Sequence, residues 1–131
     1  MQARIWTLAV AMLASSAHAE DVFGVWKSQP SEAGAYIHVE IARCPADRST
    51  ICGDIIGVFN NDDDLPPDPG RMMIEKMSPS GDREWGGGTI WAPDEDKVYA
   101  AKMALRGKVL HVSGCIFGGL VCRGQDWSRV K

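Results

Sequence analysis

The chain lacks the features that would mark it as a binder of nucleic acid or a membrane-spanning protein. Lysine and arginine number 14 against 17 Asp and Glu, a formal charge of −3, and the cations do not cluster. No basic surface is therefore available to displace the counterions of a phosphate backbone or to hold anionic lipid. Beyond the first few residues no apolar run approaches the ~20 residues that a membrane helix needs. Nucleophile motifs are missing too: no serine sits in a G-x-S-x-G turn. Neither a C-x₂-C pair nor an adjacent histidine pair is present, which excludes the common zinc spacings and the dithiol redox motif. The acidic run Asp62, Asp63, Asp64 and Asp68 fails as an EF-hand. Counted from Asn60, the positions that demand Gly and Glu hold Leu65 and Arg71. Gly86-Gly87-Gly88 lacks the G-K-[ST] ending of a phosphate loop. The residue patterns thus name no catalytic residue, no metal and no cofactor; the acidic run reads by default as a solvated loop, and what stays open is a calcium loop of another kind there and an acid–base pair that the fold itself assembles.

What is present begins with an export signal. Arg4 precedes the apolar run Ile5 to Ala14, and the small residues Ser15-Ser16 lead to the A-x-A site Ala17-His18-Ala19. This three-part pattern predicts a signal peptide over residues 1–19 and a working protein that begins at Glu20, in the periplasm or secreted. No cysteine lies near the cleavage site, so a lipid anchor is not expected. Loss of Arg4 takes the charge from −3 to −4, and the remaining 20–131 segment is long enough for one domain and not two.

All four cysteines, Cys44, Cys52, Cys115 and Cys122, fall in that domain. An even count in an oxidising compartment predicts disulfides. Of the three possible pairings, Cys44–Cys52 and Cys115–Cys122 are favoured because each pair brackets a turn, at Pro45 to Thr50 and at Gly118-Gly119. Strands leaving a turn bring such positions within bridging reach.

The domain reads as strands almost throughout. Ile37, Val39 and Ile41 alternate with Tyr36, His38, Glu40 and Ala42, the period of a half-buried strand. Val22 to Ser28, Ile51 to Phe59, a weaker Arg71 to Met77, Glu84 to Trp91, Val98 to Leu105, Val109 to Cys115 and Leu120 to Val130 complete the set. Tyr99, Ala101, Met103 and Leu105 share one face. The three glycines from Gly86 predict a sharp bend or a close approach to a neighbouring strand. About eight strands with no helix between them predict an all-β, antiparallel barrel or sandwich. Asn60 to Gly70, rich in proline and aspartate, is a long loop. His38 and His111 fall on the outward face of their strands and read as solvated surface histidines.

An ordered set of short motifs then becomes informative: Gly24-Val25-Trp26, Cys52-Gly53-Asp54-Ile55, Trp85-Gly86-Gly87-Gly88-Thr89-Ile90, Pro93, Lys97-Val98-Tyr99, Leu110-x-Val112-x-Gly114-Cys115 and Gln125-Asp126-Trp127-Ser128-Arg129. Together they resemble the domain-of-unknown-function family 2147, small proteins exported by Gram-negative bacteria. The family usually has Asp where Ala92 stands and Gly where Asp96 stands. The resemblance implies a lipocalin-like β-barrel and a periplasmic location, and it implies no activity. Gly24-x-Trp26 also looks like the opening of lipocalins and avidins, in which the tryptophan plugs one barrel end beneath a late arginine, here Arg123 or Arg129.

The aromatic residues carry the functional expectation. Trp26, Trp85, Tyr99 and Trp127 are candidates to line a cavity for a small apolar or amphipathic ligand, and they are equally able to fill a packed core, since an eight-stranded barrel is just wide enough for either. Two functions follow: binding of such a ligand within the barrel, its access lying beside the Asn60–Gly70 loop, or an interaction module that docks an envelope protein and holds no ligand.

Overall fold

A computed structural model describes residues 20–60 and 70–131; the segment read as a signal peptide and the centre of the acidic loop lie outside the described residues. Eight strands run β1 Gly24–Lys27, β2 Tyr36–Arg43, β3 Ile51–Phe59, β4 Met72–Gly81, β5 Glu84–Ala92, β6 Lys97–Arg106, β7 Val109–Ile116 and β8 Val121–Arg129. Each pairs antiparallel with its sequence neighbour, and β1 pairs with β8, so the sheet closes into a barrel in simple up-and-down order. Closure removes the free edges that an open sheet must protect. Short 3-10 turns precede β1, at Glu20–Val22, and join β7 to β8, at Phe117–Gly119. No helix among the described residues is long and apolar enough to cross a membrane, which says nothing about spanning by strands.

The period-two alternation decides which side chains meet inside. Val39 and Ile41 of β2, Ile55 of β3, Ala101, Met103 and Leu105 of β6, and Leu110 and Val112 of β7 turn inward and are buried. So do Ile74 and Met77 of β4, three residues apart because Lys76 between them takes a positive φ that breaks the alternation. Trp26, Trp85 and Trp127 are buried among them. Both disulfides form as the turn bracketing predicts, Cys44 with Cys52 and Cys115 with Cys122.

Two strands depart from the sequence reading in an instructive way. β4 continues past Met77 to Gly81 although the apolar alternation stops there. Its ladder to β5 carries on through Ser78↔Gly86 and Pro79↔Trp85. The backbone, not the side-chain pattern, sustains that half of the strand. Just before that extension the glycine run of β5 allows a close approach: a side-chain carbon on Gly88 would sit 2.1 Å from the Glu75 carbonyl oxygen, so only glycine lets β5 pass β4 this closely. The ladder to β6 bulges between Trp85 and Gly88. β1, in contrast, is only four residues long and pairs with β8 at just Trp26↔Arg129 and Lys27↔Ser128. The barrel is therefore zipped firmly at one end of β8 and lacks a β1 partner beside Val121–Gln125.

Candidate functional site

Up-and-down topology gives the barrel two unlike ends. The β1 start, the β2–β3 connection with its Cys44–Cys52 bridge and the β8 finish gather at one of them. There Trp26 lies fully buried, and its indole Nε1–H donates to the Val22 carbonyl at 2.9 Å. The Arg129 guanidinium stacks on the other side of the ring, 4.3 Å from its centroid, and donates to the carbonyls of Phe23 and Asp21. Of the two arginines eligible from sequence, Arg129 is the one that caps the tryptophan. Gly24 completes the seal. With a φ of +132° and the Lys131 carbonyl only 2.4 Å from where a side-chain carbon would stand, the position demands glycine. The Val25 N–H donates to that same carbonyl. This end is shut.

The opposite end, where β3 leads into the Asn60–Gly70 loop and β5 turns into β6, holds an open cavity of about 490 Å³. Its floor is apolar: Met73, Ile90, Val112 and Trp127. Its walls rise through Tyr99, Gly114 and Ile116 to a polar mouth with Asp94, Glu95, Arg123 and Gln125. Strand parity explains the set. Trp127 faces the core, so Gln125, Arg123 and Val121 face the same way two, four and six residues earlier. In this wall Gly114 of β7 lets the Tyr99 and Ile90 side chains pack directly against the backbone. A side-chain carbon on it would press on Tyr99 at 3.2 Å and Ile90 at 3.4 Å.

Polar contacts at the mouth are specific. The Tyr99 hydroxyl donates to the Glu95 carboxylate in a short hydrogen bond. That bond, aided by desolvation, holds the phenol above its ordinary pKa against the opposing pull of the Arg123 guanidinium. The Trp127 indole N–H donates to Gln125 Oε1 at 3.1 Å. Trp91 donates to Asp96 at 2.9 Å, and the Arg71 guanidinium stacks 3.5 Å from its ring centroid, closing the outer side of the rim. The Cys115–Cys122 bridge holds the hairpin that forms the adjacent wall.

The aromatic candidates thus divide by location. Tyr99 and Trp127 line the cavity. Trp26 and Trp85 lie in the packed core and do not line it. Arg123 and Gln125, absent from the ligand-binding candidates, join it; the signal that finds them is their even spacing from Trp127. Of the two histidines read as solvated, His111 keeps its side chain 41% exposed on the outside of the barrel and His38 is half-buried. His38 packs against Phe59, ring centroids 4.4 Å apart, and near Tyr36, over which Lys27 sits. Burial first, and the Lys27 charge second, lower its pKa from the ordinary 6.5. His111 lies outside the barrel with Nδ1 2.7 Å from the Asp126 carboxylate. Among the described residues no three His, Cys, Asp or Glu side chains converge to hold a metal.

A closed eight-stranded antiparallel barrel, plugged at one end by a tryptophan–arginine pair and hollow at the other, is a lipocalin-like barrel. The chain belongs to the bacterial family described as uncharacterized protein conserved in bacteria (DUF2147), whose model matches residues 24–129. Among solved structures it is similar to the Helicobacter pylori protein HP1028, described as belonging to the lipocalin family. The TM-score is 0.64 with 17% identity, and the match covers 82% of each chain. No curated protein matches the sequence.

Proposed function

We propose that this protein is exported and binds one small apolar or amphipathic molecule in the cavity opposite the Trp26 plug. The observation that carries the reading is the cavity itself, about 490 Å³ with an apolar floor and a polar mouth. That is the size and character of small-molecule sites, which run from ~300 to ~1,000 Å³ and pair greasy walls with a few fixed polar groups. The N-terminal pattern and the two disulfides support an oxidising destination outside the cytoplasm. Since the other end is sealed, the ligand enters on the side of the Asn60–Gly70 loop.

Native mass spectrometry of protein purified from its own periplasm tests the proposal. A bound small molecule, released on unfolding and recaptured by the refolded protein from an envelope lipid and metabolite extract, is expected. Protein that arrives empty and captures nothing from the extract contradicts it.

One observation favours the alternative, docking of an envelope protein. The β7–β8 hairpin tip exposes Phe117 (74%) and Leu120 (87%) beside Val121, an apolar surface unusual for a solvated turn. The same mass spectra report a bound subunit, which would identify that role.

A further inference from the structure

We infer that the ligand carries a single anionic head, held at the cavity mouth by Arg123 and Gln125, with its apolar tail directed onto the floor. The inference rests on the cavity being a ligand site and names the chemistry of what fills it.

The inward face of β8 sets the argument. Trp127, Gln125 and Arg123 follow one another at two-residue steps, about 6.6 Å each along a strand, and run from the apolar floor to the mouth. Arg123 stands directly across from Gly114, which has no side chain of its own to meet the guanidinium and against which Tyr99 and Ile90 pack. Among the described residues its guanidinium has no ion-pair or hydrogen-bond partner. The neighbouring carboxylate, Glu95, accepts from the Tyr99 hydroxyl instead. Gln125 is oriented by the floor. Because its Oε1 accepts the Trp127 indole N–H, its amide nitrogen is left to donate. The mouth therefore presents N–H donors from two side chains on one strand face, one of them a planar fork suited to carboxylate or phosphate. Below them lie Met73, Ile90 and Val112, which offer nothing to a second polar group. An amphiphile with its anion uppermost satisfies both layers.

Two carboxylates, Asp94 and Glu95, also border the mouth, in the β5–β6 turn. A cationic head would pair with them instead, so the head charge is what the experiment must vary. Four probes sharing one ten-carbon tail separate the possibilities: decanoate, decyl phosphate, decanol and decyltrimethylammonium. Their affinities are measured by calorimetry on the oxidised protein, its R123Q, R123K and Q125L variants, and each variant's melting temperature is checked. Arg123 makes no bond to the described residues of the barrel, so R123Q and R123K are expected to melt as the parent does, whereas Q125L, which removes the acceptor of the Trp127 indole N–H, is expected to melt lower. Decanoate or decyl phosphate should bind more tightly than decanol, and whichever of the two binds better identifies the head. R123Q should weaken that probe roughly tenfold or more and leave decanol unchanged; R123K, which keeps the charge and loses the fork, should fall between. Equal binding of all four, tighter binding of the ammonium, or indifference of the anion to R123Q overturns the anionic head while leaving the cavity a ligand site. Failure of all four probes to bind removes the cavity reading and this inference with it.

Discussion

The two ends of the barrel are built from similar materials and reach opposite results. Each has a disulfide, a tryptophan and an arginine stacked on an indole. At the closed end Arg129 presses on Trp26 from within a web of backbone carbonyls, and every polar group involved is answered by the chain itself. At the open end Arg71 stacks on the outside of Trp91, the wall residue facing Arg123 is a glycine, and apolar and polar side chains border an unfilled volume. The closed end answers its donors from within, whereas at the open end the Arg123 guanidinium has no partner among the described residues.

The largest expected effect follows at once. Trp26→Ala removes a fully buried indole and its bond to Val22, and should cost ~3–5 kcal/mol in denaturant melts. Tyr99→Ala, at the half-buried cavity wall, should cost about 1 kcal/mol. Similar losses at the two positions would erase the distinction between plug and mouth.

Next come the disulfides. Each closes a short loop, eight residues of separation at Cys44–Cys52 and seven at Cys115–Cys122, and the chain-entropy model gives each about 2.5 kcal/mol. Replacing either pair by serine should lower stability by comparable amounts, while only loss of Cys115–Cys122 should weaken ligand binding, because that hairpin forms a cavity wall. Non-reducing peptide mapping checks the pairing, and a peptide joining Cys44 to Cys115 or Cys122 would contradict it.

Much of the fold was legible in the sequence, because residues such as Val39, Ile41, Met103 and Leu105 had to alternate to be buried from one side of a strand. The site was less legible. From Val121 to Asp126 the inner and outer faces of β8 are both polar or small, so the alternation carries no contrast there, and the sequence singles out Arg123 only as an alternative to Arg129 for capping Trp26. Only its spacing from Trp127 betrays its direction. β4 beyond Met77 was hidden for a related reason: Ser78, Pro79 and Gly81 are held by the ladder to β5 and bury nothing.

A subtler contrast separates two buried tryptophans. Trp26 Nε1 donates to Val22, whereas Trp85 Nε1 is buried and finds no acceptor among the described residues. Trp26→Phe should therefore cost ~1–3 kcal/mol more than Trp85→Phe, since it alone strands a buried carbonyl. Equal costs would mean the indole bond contributes little to the plug.

The smallest effect concerns His38. Its folded pKa lies below 6.5, so the folded chain resists a proton that the unfolded chain accepts. Its contribution is complete above 6.5 and declines as the pH falls from there through the folded value. NMR titration should find the imidazole pKa below 6.5, and Lys27→Gln should raise it part of the way back, with burial accounting for the remainder. A His38 that titrates at the ordinary value would place it in solvent, away from Phe59.

The most direct test of a barrel sealed at one end and receptive at the other uses its own indoles as reporters. The described domain holds Trp26, Trp85, Trp91 and Trp127, each with an indole N–H visible by NMR. On titration with decanoate, the Trp91 and Trp127 signals, from the cavity lining, should move, and those of Trp26 and Trp85 should stay in place. Movement of the Trp26 indole with Trp127 unchanged would put the ligand at the wrong end and contradict the account.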